Sequence, residues 1–259
     1  MLQGKRLLIT GVLTRNSIAF GVAREALDHG AEILLTSHGR ARSLTERSAR
    51  ALADTPPDVL ELDVTREQDF ARLREEIASR WGKLSGVLHS IAFAPADAIG
   101  GDFIGTPVAS AVEALTVSAV SFSSLAGCLA PLMERGSSVV GLDFDASRAW
   151  PGYDWMGVAK ASLESASRYV ACDLGPLGIR SNLIAAGPIR SVSASGGFRS
   201  FGLIADAWDR AAPLGWDARD AGPIAAAACF LFSDLSRSIT GEIIHVDGGA
   251  HAVAASLGG

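Results

Sequence analysis

Tyr153 and Lys160 lie seven positions apart in the run Tyr-Asp-Trp-Met-Gly-Val-Ala-Lys. A tyrosine hydroxyl can donate a hydrogen bond to a carbonyl oxygen on which negative charge is developing. A lysine ammonium brings positive charge and several donors, and can lower a neighbouring tyrosine's pKa. Seven positions on a helix is close to two turns, so both side chains would face the same way. The pair alone is weak, because a surface pair on an amphipathic helix has the same spacing. Its surroundings give it weight.

Those surroundings alternate between apolar, strand-like runs and helix-like segments. Strands are expected near Arg6–Thr10, Glu32–Thr36, Val59–Leu62, Gly86–Ile91, Ser138–Leu142, Arg180–Ala185 and Glu242–Val246. Helices are expected near Ile18–His29, Ala41–Ala53, Glu67–Trp81, Val108–Met133, Tyr153–Leu174 and Gly222–Leu231. This alternation is the signature of a doubly wound α/β fold: one Rossmann-like, parallel, seven-stranded sheet with helices on both faces. No linker or repeat divides the chain, so residues 1–259 read as a single domain. One Ser/Gly-rich stretch, Ser191 to Gly202 with Phe198 and Phe201, breaks the rhythm. It reads as a lid near 190–211 over an apolar ligand, against the plainer reading of a surface crossover.

Open α/β sheets bind ligands beyond the C-terminal ends of their strands, and several suitable residues fall there. The first strand ends in Gly11, and Ser17 can open a helix whose N–H groups would hold a pyrophosphate. This is not the usual triple-glycine pattern. Asp63 ends the third strand and could accept from an adenine amino group, or could cap the segment starting near Thr65. Ile91 could pack on adenine, and the small Ala92 lets backbone approach a ribose. Backbone groups of Ile189, after Gly187-Pro188, could pair with a carboxamide. Arg40 and Arg42 follow the second strand where an acid would favour NAD, so NADPH stays open beside NADH.

Composition excludes other classes. The net charge is −5 with no basic tract, against nucleic acid as a partner. The apolar run at the N-terminus is too short for a signal peptide, and no apolar run suggests a membrane span, so a cytoplasmic protein is expected. Cys128, Cys172 and Cys229 are expected to be buried, inert thiols, and His89 and His245 structural residues; no metal spacing is present.

The chain resembles the short-chain dehydrogenase/reductase superfamily and, within it, the enoyl-acyl-carrier-protein reductases. Four stretches carry the resemblance: Gly11 to Phe20 with Ser17-Ile18-Ala19, Leu62-Asp63-Val64, Phe144 through Lys160, and Arg180 to Arg190. The terminal run Thr240 to Gly249 supports the superfamily. Most of the superfamily separates its Tyr and Lys by three residues, whereas six intervene here, as in the enoyl reductases. The stretch Leu142 to Ala149 followed by Pro151 is similar to the branch containing the mycobacterial isoniazid target. The resemblance implies hydride transfer from NADH to C3 of a trans-2-enoyl thioester carried by acyl carrier protein or coenzyme A. It implies that Tyr153 stabilises the enolate, Lys160 holds the nicotinamide ribose and Phe144 packs between nicotinamide and substrate. Met156, Phe198 and Phe201 would contact the acyl chain. Gly11, Ser17, Ile18, Asp63, Val64, Ile91, Ala92 and Ile189 match cofactor positions, and a homotetramer is implied. Two rivals stay open: a ketoreductase of the same superfamily, disfavoured because Val139-Val140-Gly141 stands where its serine would be, and a non-catalytic nucleotide sensor.

Overall fold

The computed structural model describes residues 1–191 and 201–253, with backbone only at Phe201 and Leu203. Within them the strands are β1 (Arg6–Ile9), β2 (Glu32–Ser37), β3 (Val59–Glu61), β4 (Leu84–His89), β5 (Met133–Asp143), β6 (Arg180–Ala186) and β7 (Ile243–Val246). The helices are α1 (Ile18–Asp28), α2 (Arg42–Ala49), α3 (Glu67–Trp81), α4 (Val108–Leu115), α5 (Ser121–Leu129), α6 (Asp154–Leu174), α7 (Phe201–Ala211) and α8 (Gly222–Phe232). The strands form one all-parallel sheet in the order β3-β2-β1-β4-β5-β6-β7. The chain order reverses between β1 and β4, which is the switch point where such sheets open a ligand crevice.

Alternation along β1 shows how the two faces are built. Leu7 and Ile9 pack with Ala19, Val22 and Ala23 of α1 and with Ile224 and Phe232 of α8. Leu8 points the other way, into a cluster with Phe70, Leu73 and Ile77 of α3, Phe122 and Leu125 of α5 and Leu163 of α6. The period of two on the strand and the 3.6-residue spacing of Phe70, Leu73 and Ile77 make each side of the sheet an apolar seam.

The segment expected as one helix over Val108–Met133 is interrupted. A π-helical turn at Thr116–Val120 separates α4 from α5, and the chain enters β5 already at Met133. Ser118 accounts for part of this: its hydroxyl accepts from Phe93 N–H (3.0 Å) and donates to Phe93 C=O (3.1 Å), fastening the turn to the chain beyond β4. The run Val108–Leu132 also corrects the expectation about apolar length. It is 25 residues long and contains an 18-residue window of mean hydropathy 1.6, long and apolar enough to cross a membrane, with 44% of that window buried in the protein. Phe122, Leu125 and Leu129 are fully packed under it, as in a core helix.

Candidate active site

Gly11 fixes the crevice floor. Its φ is +80°, and a Cβ there would lie 1.9 Å from Ser90 C=O, so no other residue fits without moving β4. Thr10 seals the same junction: its hydroxyl donates to Leu88 C=O (2.9 Å) and accepts from Ser90 N–H (2.9 Å). The ends of β1 and β4 are thus locked together, with Ile91 and Ala92 leading out of one and the α1 entry out of the other.

Tyr153 stands at the N-cap of α6 and Lys160 lies in the second turn. The turn delivering them is unusual. Gly152 has φ +79° and Asp154 has φ +46°, the non-glycine residue in the left-handed region among those described. Asp154 is held there from outside the helix: one carboxylate oxygen accepts from Gly101 N–H at 2.6 Å. Two further bonds tie the same loop to the helix start, Gly100 N–H to Gly152 C=O (3.0 Å) and Trp155 N–H to Ala98 C=O (3.2 Å). The Phe103 ring stacks on Trp155 at 5.3 Å.

Lys160 is 5% exposed, and its ammonium donates to Leu142 C=O at 2.8 Å, near the end of β5. The next residue, Asp143, is buried with neither carboxylate oxygen accepting a hydrogen bond. Burial pushes its carboxyl up to about 7 against the pull of Lys160, and nearby Glu164 raises it further. Burial lowers the Lys160 pKa, with Asp143 opposing. The expectation that lysine would depress the tyrosine is not met: burial and the Asp143 charge both raise the Tyr153 pKa. The hydroxyl therefore stays protonated at neutral pH and acts as a donor. His89, one strand over, is neutral: burial and Lys160 take it down to about 3, and Nε2 sits 2.7 Å from Ser121 Oγ. Ser121 donates to Val117 C=O, so the ring nitrogen Nε2 carries the hydrogen.

Phe144 follows Asp143 and meets the Tyr153 ring at 5.1 Å. Trp150 and Trp208 complete an aromatic box: each lies within 5.3 Å of Phe144, and they are 5.1 Å from one another. Both indoles are pinned, Trp150 to Asp145 C=O (2.7 Å) and Trp208 to Asp247 C=O (2.9 Å). Neither tryptophan was among the residues expected from sequence. Trp208 lies in the helix-like 203–210 stretch, and Trp150 sits between Ala149 and Pro151; what marks them is only contact with Phe144, which no spacing encodes.

Residues 11–251 match the family described as enoyl-(acyl carrier protein) reductase. The chain is 42% identical to an enoyl-acyl-carrier-protein reductase (NADH) of Mycolicibacterium smegmatis, over 96% of this chain and 97% of that one. It is 41% identical to the same enzyme of Mycobacterium avium, again over 96% and 97%. It is 40% identical to a Bacillus cereus enoyl-acyl-carrier-protein reductase (NADH), over 97% and 98%. The chain belongs to the enoyl-acyl-carrier-protein reductases.

This enoyl reductase has groups that fit a dinucleotide along the crevice. The N-cap Ser17 makes no side-chain cap to α1; its hydroxyl turns back to Thr14 C=O at 2.6 Å. The Thr14 hydroxyl beside it is buried without a partner. An uncapped helix start with an unsatisfied hydroxyl suits a pyrophosphate, and Ile18 lies in the first turn. Of the two readings of Asp63 given above, the structure shows the local cap. One oxygen takes Thr65 N–H (3.0 Å) and Thr65 Oγ1 (2.6 Å), making the local turn. The other lies 3.7 Å from His38 and 3.5 Å from Arg66. Burial raises its pKa, but the Thr65 bonds and these cations outweigh that and leave it lowered. Val64 is half-buried beside it, and Ile189 is buried at the end of β6. Met156 is buried on the first turn of α6. Phe198 lies outside the described residues, with the rest of 192–200 of the expected lid; its far end is α7, which carries Trp208.

The ketoreductase alternative meets a steric obstacle in this reductase. A Cβ at Gly141 would sit 2.5 Å from Leu183 and 3.0 Å from Phe122, so a serine there would have to displace the Leu183 side chain. The expectation for cysteines is corrected at two sites. Cys229 is buried, with its thiol pushed up to about 12, but Cys128, which donates to Phe70 C=O, is half-buried, and Cys172 on α6 is exposed. His245 stacks on His251 at 3.8 Å, and the described residues hold no cluster able to bind a metal.

Proposed function

We propose that this reductase saturates trans-2-enoyl thioesters on acyl carrier protein, with coenzyme A thioesters as surrogates, as a cytoplasmic step of fatty acid elongation. The observation carrying the reading is the placement of Tyr153 beside Phe144, with Lys160 buried behind it, at the crevice edge of the sheet. Bound NADH would supply the hydride for C3, and the enolate left on the substrate would take a proton from solvent at C2. The Tyr153 hydroxyl donates to the thioester carbonyl oxygen, where charge gathers as C3 is reduced. Its raised pKa keeps that proton in place at neutral pH. Lys160 offers its remaining ammonium hydrogens to ribose hydroxyls while Leu142 C=O fixes its direction. Phe144, Trp150 and Trp208 wall the reacting end and exclude water. Phe144 would stand between nicotinamide and acyl chain, and Met156, Phe198 and Phe201 would line the chain's path, with 190–211 as its lid.

The assembly is a homotetramer. Val108, Val112, Val120 and Tyr169 are exposed on α4, the π-turn and α6, an apolar face suited to another copy. The net charge of −5 suits neither nucleic acid nor an anionic membrane. Mixing the protein with NADH and a trans-2-enoyl thioester, and following loss of NADH absorbance, tests the activity; oxidation that depends on the thioester is expected. Turnover of a 3-ketoacyl thioester in its place would overturn it.

A further inference from the structure

The second strand lacks the acid that usually selects NADH, ending instead in Ser37-His38-Gly39-Arg40. The structure brings a carboxylate there from the neighbouring strand. Ser37 of β2 pairs in register with Glu61 of β3. One Glu61 oxygen accepts from Gly39 N–H at 3.4 Å, and the other takes Arg42 Nη1 at 2.9 Å. Arg42 is thereby consumed: its Nε goes to Glu46 (3.0 Å) and its Nη2 to Val59 C=O (2.9 Å). Every guanidinium nitrogen has a protein acceptor, and the Glu61 and Glu46 hydrogen bonds raise the Arg42 pKa.

We infer that Glu61 is the cofactor-selecting acid of this chain and that Arg42 is its positioning residue. This rests on the reductase reading above. In folds of this kind the adenosine ribose lies beyond the C-terminal end of the second strand. A carboxylate has about four acceptor sites, so Glu61 can still take a ribose 2′-hydroxyl while holding Gly39 and Arg42. A 2′-phosphate at the same place would meet Glu61, with Glu46 and Asp63 adding negative charge nearby. The arginines near that place are Arg40, which follows Gly39 and is exposed, and Arg66, which lies against Asp63, with the His38 ring 3.7 Å from the same carboxylate. The arginine that sequence alone offers to a phosphate is therefore part of the device that rejects it.

Dissociation constants for NADH and NADPH, read by tryptophan fluorescence quenching, test this without turnover. The unmodified protein should favour NADH. Glu61→Gln should weaken NADH and tighten NADPH, shifting the ratio by about tenfold as the repulsion ends and Arg42 is released. Glu61→Gln combined with Arg42→Gln should keep the NADH loss and only that part of the NADPH gain that comes from ending the repulsion. Salt gives a measurement on the unmodified protein. Screening a repulsion narrows the NADH preference as ionic strength rises, whereas screening an attractive arginine widens it. An unchanged ratio in Glu61→Gln, a double variant whose NADPH affinity falls back to that of the unmodified protein, or a preference that widens with salt would each overturn the inference. Failure to oxidise NADH with an enoyl thioester would instead sink the reductase reading and leave the binding ratios to be judged separately.

Discussion

The carboxylate of Asp154 accepts a 2.6 Å hydrogen bond from Gly101 N–H while its own backbone sits at φ +46°. The residue following Tyr153 is thus held in a costly conformation by a contact 53 positions away. Left-handed backbone costs a non-glycine residue roughly 1–2 kcal/mol, and aspartate and asparagine tolerate it best.

Asp154→Ala keeps the strain and loses the tether. The Tyr153 hydroxyl should lose its fixed place, lowering kcat about tenfold or more, since small misplacements in a site are amplified in rate. Asp154→Asn keeps an acceptor oxygen and the tolerance for this backbone, and should recover most of the activity. Steady-state kinetics with a short enoyl thioester compare the two; equal loss in both would mean the carboxylate charge, not the tether, matters.

Tyr153→Phe removes the hydroxyl and preserves the ring contact with Phe144. One missing oxyanion donor costs on the order of 100-fold in kcat, while NADH affinity should hardly change. Undiminished turnover would remove Tyr153 from the chemistry.

Lys160→Ala withdraws a buried cation whose direction is set by Leu142 C=O. Loss of a charge-assisted hydrogen bond is worth ~1.5–3 kcal/mol, so fluorescence titration should show NADH binding weakened about tenfold or more. A collapse of kcat at unchanged affinity would make Lys160 a proton-transfer residue instead of a ribose anchor.

Asp143 and His89 set opposing pH slopes on stability. The Asp143 carboxyl titrates at about 7 in the fold, against an ordinary 3.8. Between these values the native state holds a proton that the unfolded chain has lost, so this group's contribution falls as pH rises. His89 titrates at about 3 against an ordinary 6.5. Between those values the unfolded chain holds the extra proton, so stability falls as pH drops. Asp143→Asn removes the first slope and leaves the second. Its Tm should therefore drop more steeply than that of the unmodified protein between about pH 7 and about pH 5, across the linked window. Parallel Tm profiles would place Asp143 in a wetter setting than its 5% exposure indicates.

The aromatic box bears on acyl length. Trp150 and Trp208 are pinned beside Phe144, and few apolar residues are available in the 190–211 segment. Each added CH2 contributes ~0.8 kcal/mol only where protein covers it. kcat/KM should climb over the first added carbons and then level. Trp150→Ala should move that plateau to longer chains. A steady rise through the longest soluble thioesters in the unmodified protein would mean the box is not the wall.

The sequence by itself determined the layers. Alternation in strands and 3.6-residue spacing in helices are local patterns, and each of the seven expected strands overlaps an observed one. Tyr153 and Lys160 both arrive at the start of α6, but the tyrosine is its N-cap, ahead of the left-handed Asp154, so helical spacing alone does not set its direction. Tertiary structure decided what depends on which side chains meet across the sheet. Arg42 reads as a phosphate ligand until Glu61 arrives by strand pairing, and lysine reads as a depressant of Tyr153 until burial and Asp143 are present. The break in the 108–132 helix, the Asp154 tether and the aromatic box belong to the same kind. Charge, burial and ring contact act through space over a few ångströms, and residues far apart in the chain reach that distance only once the sheet has formed.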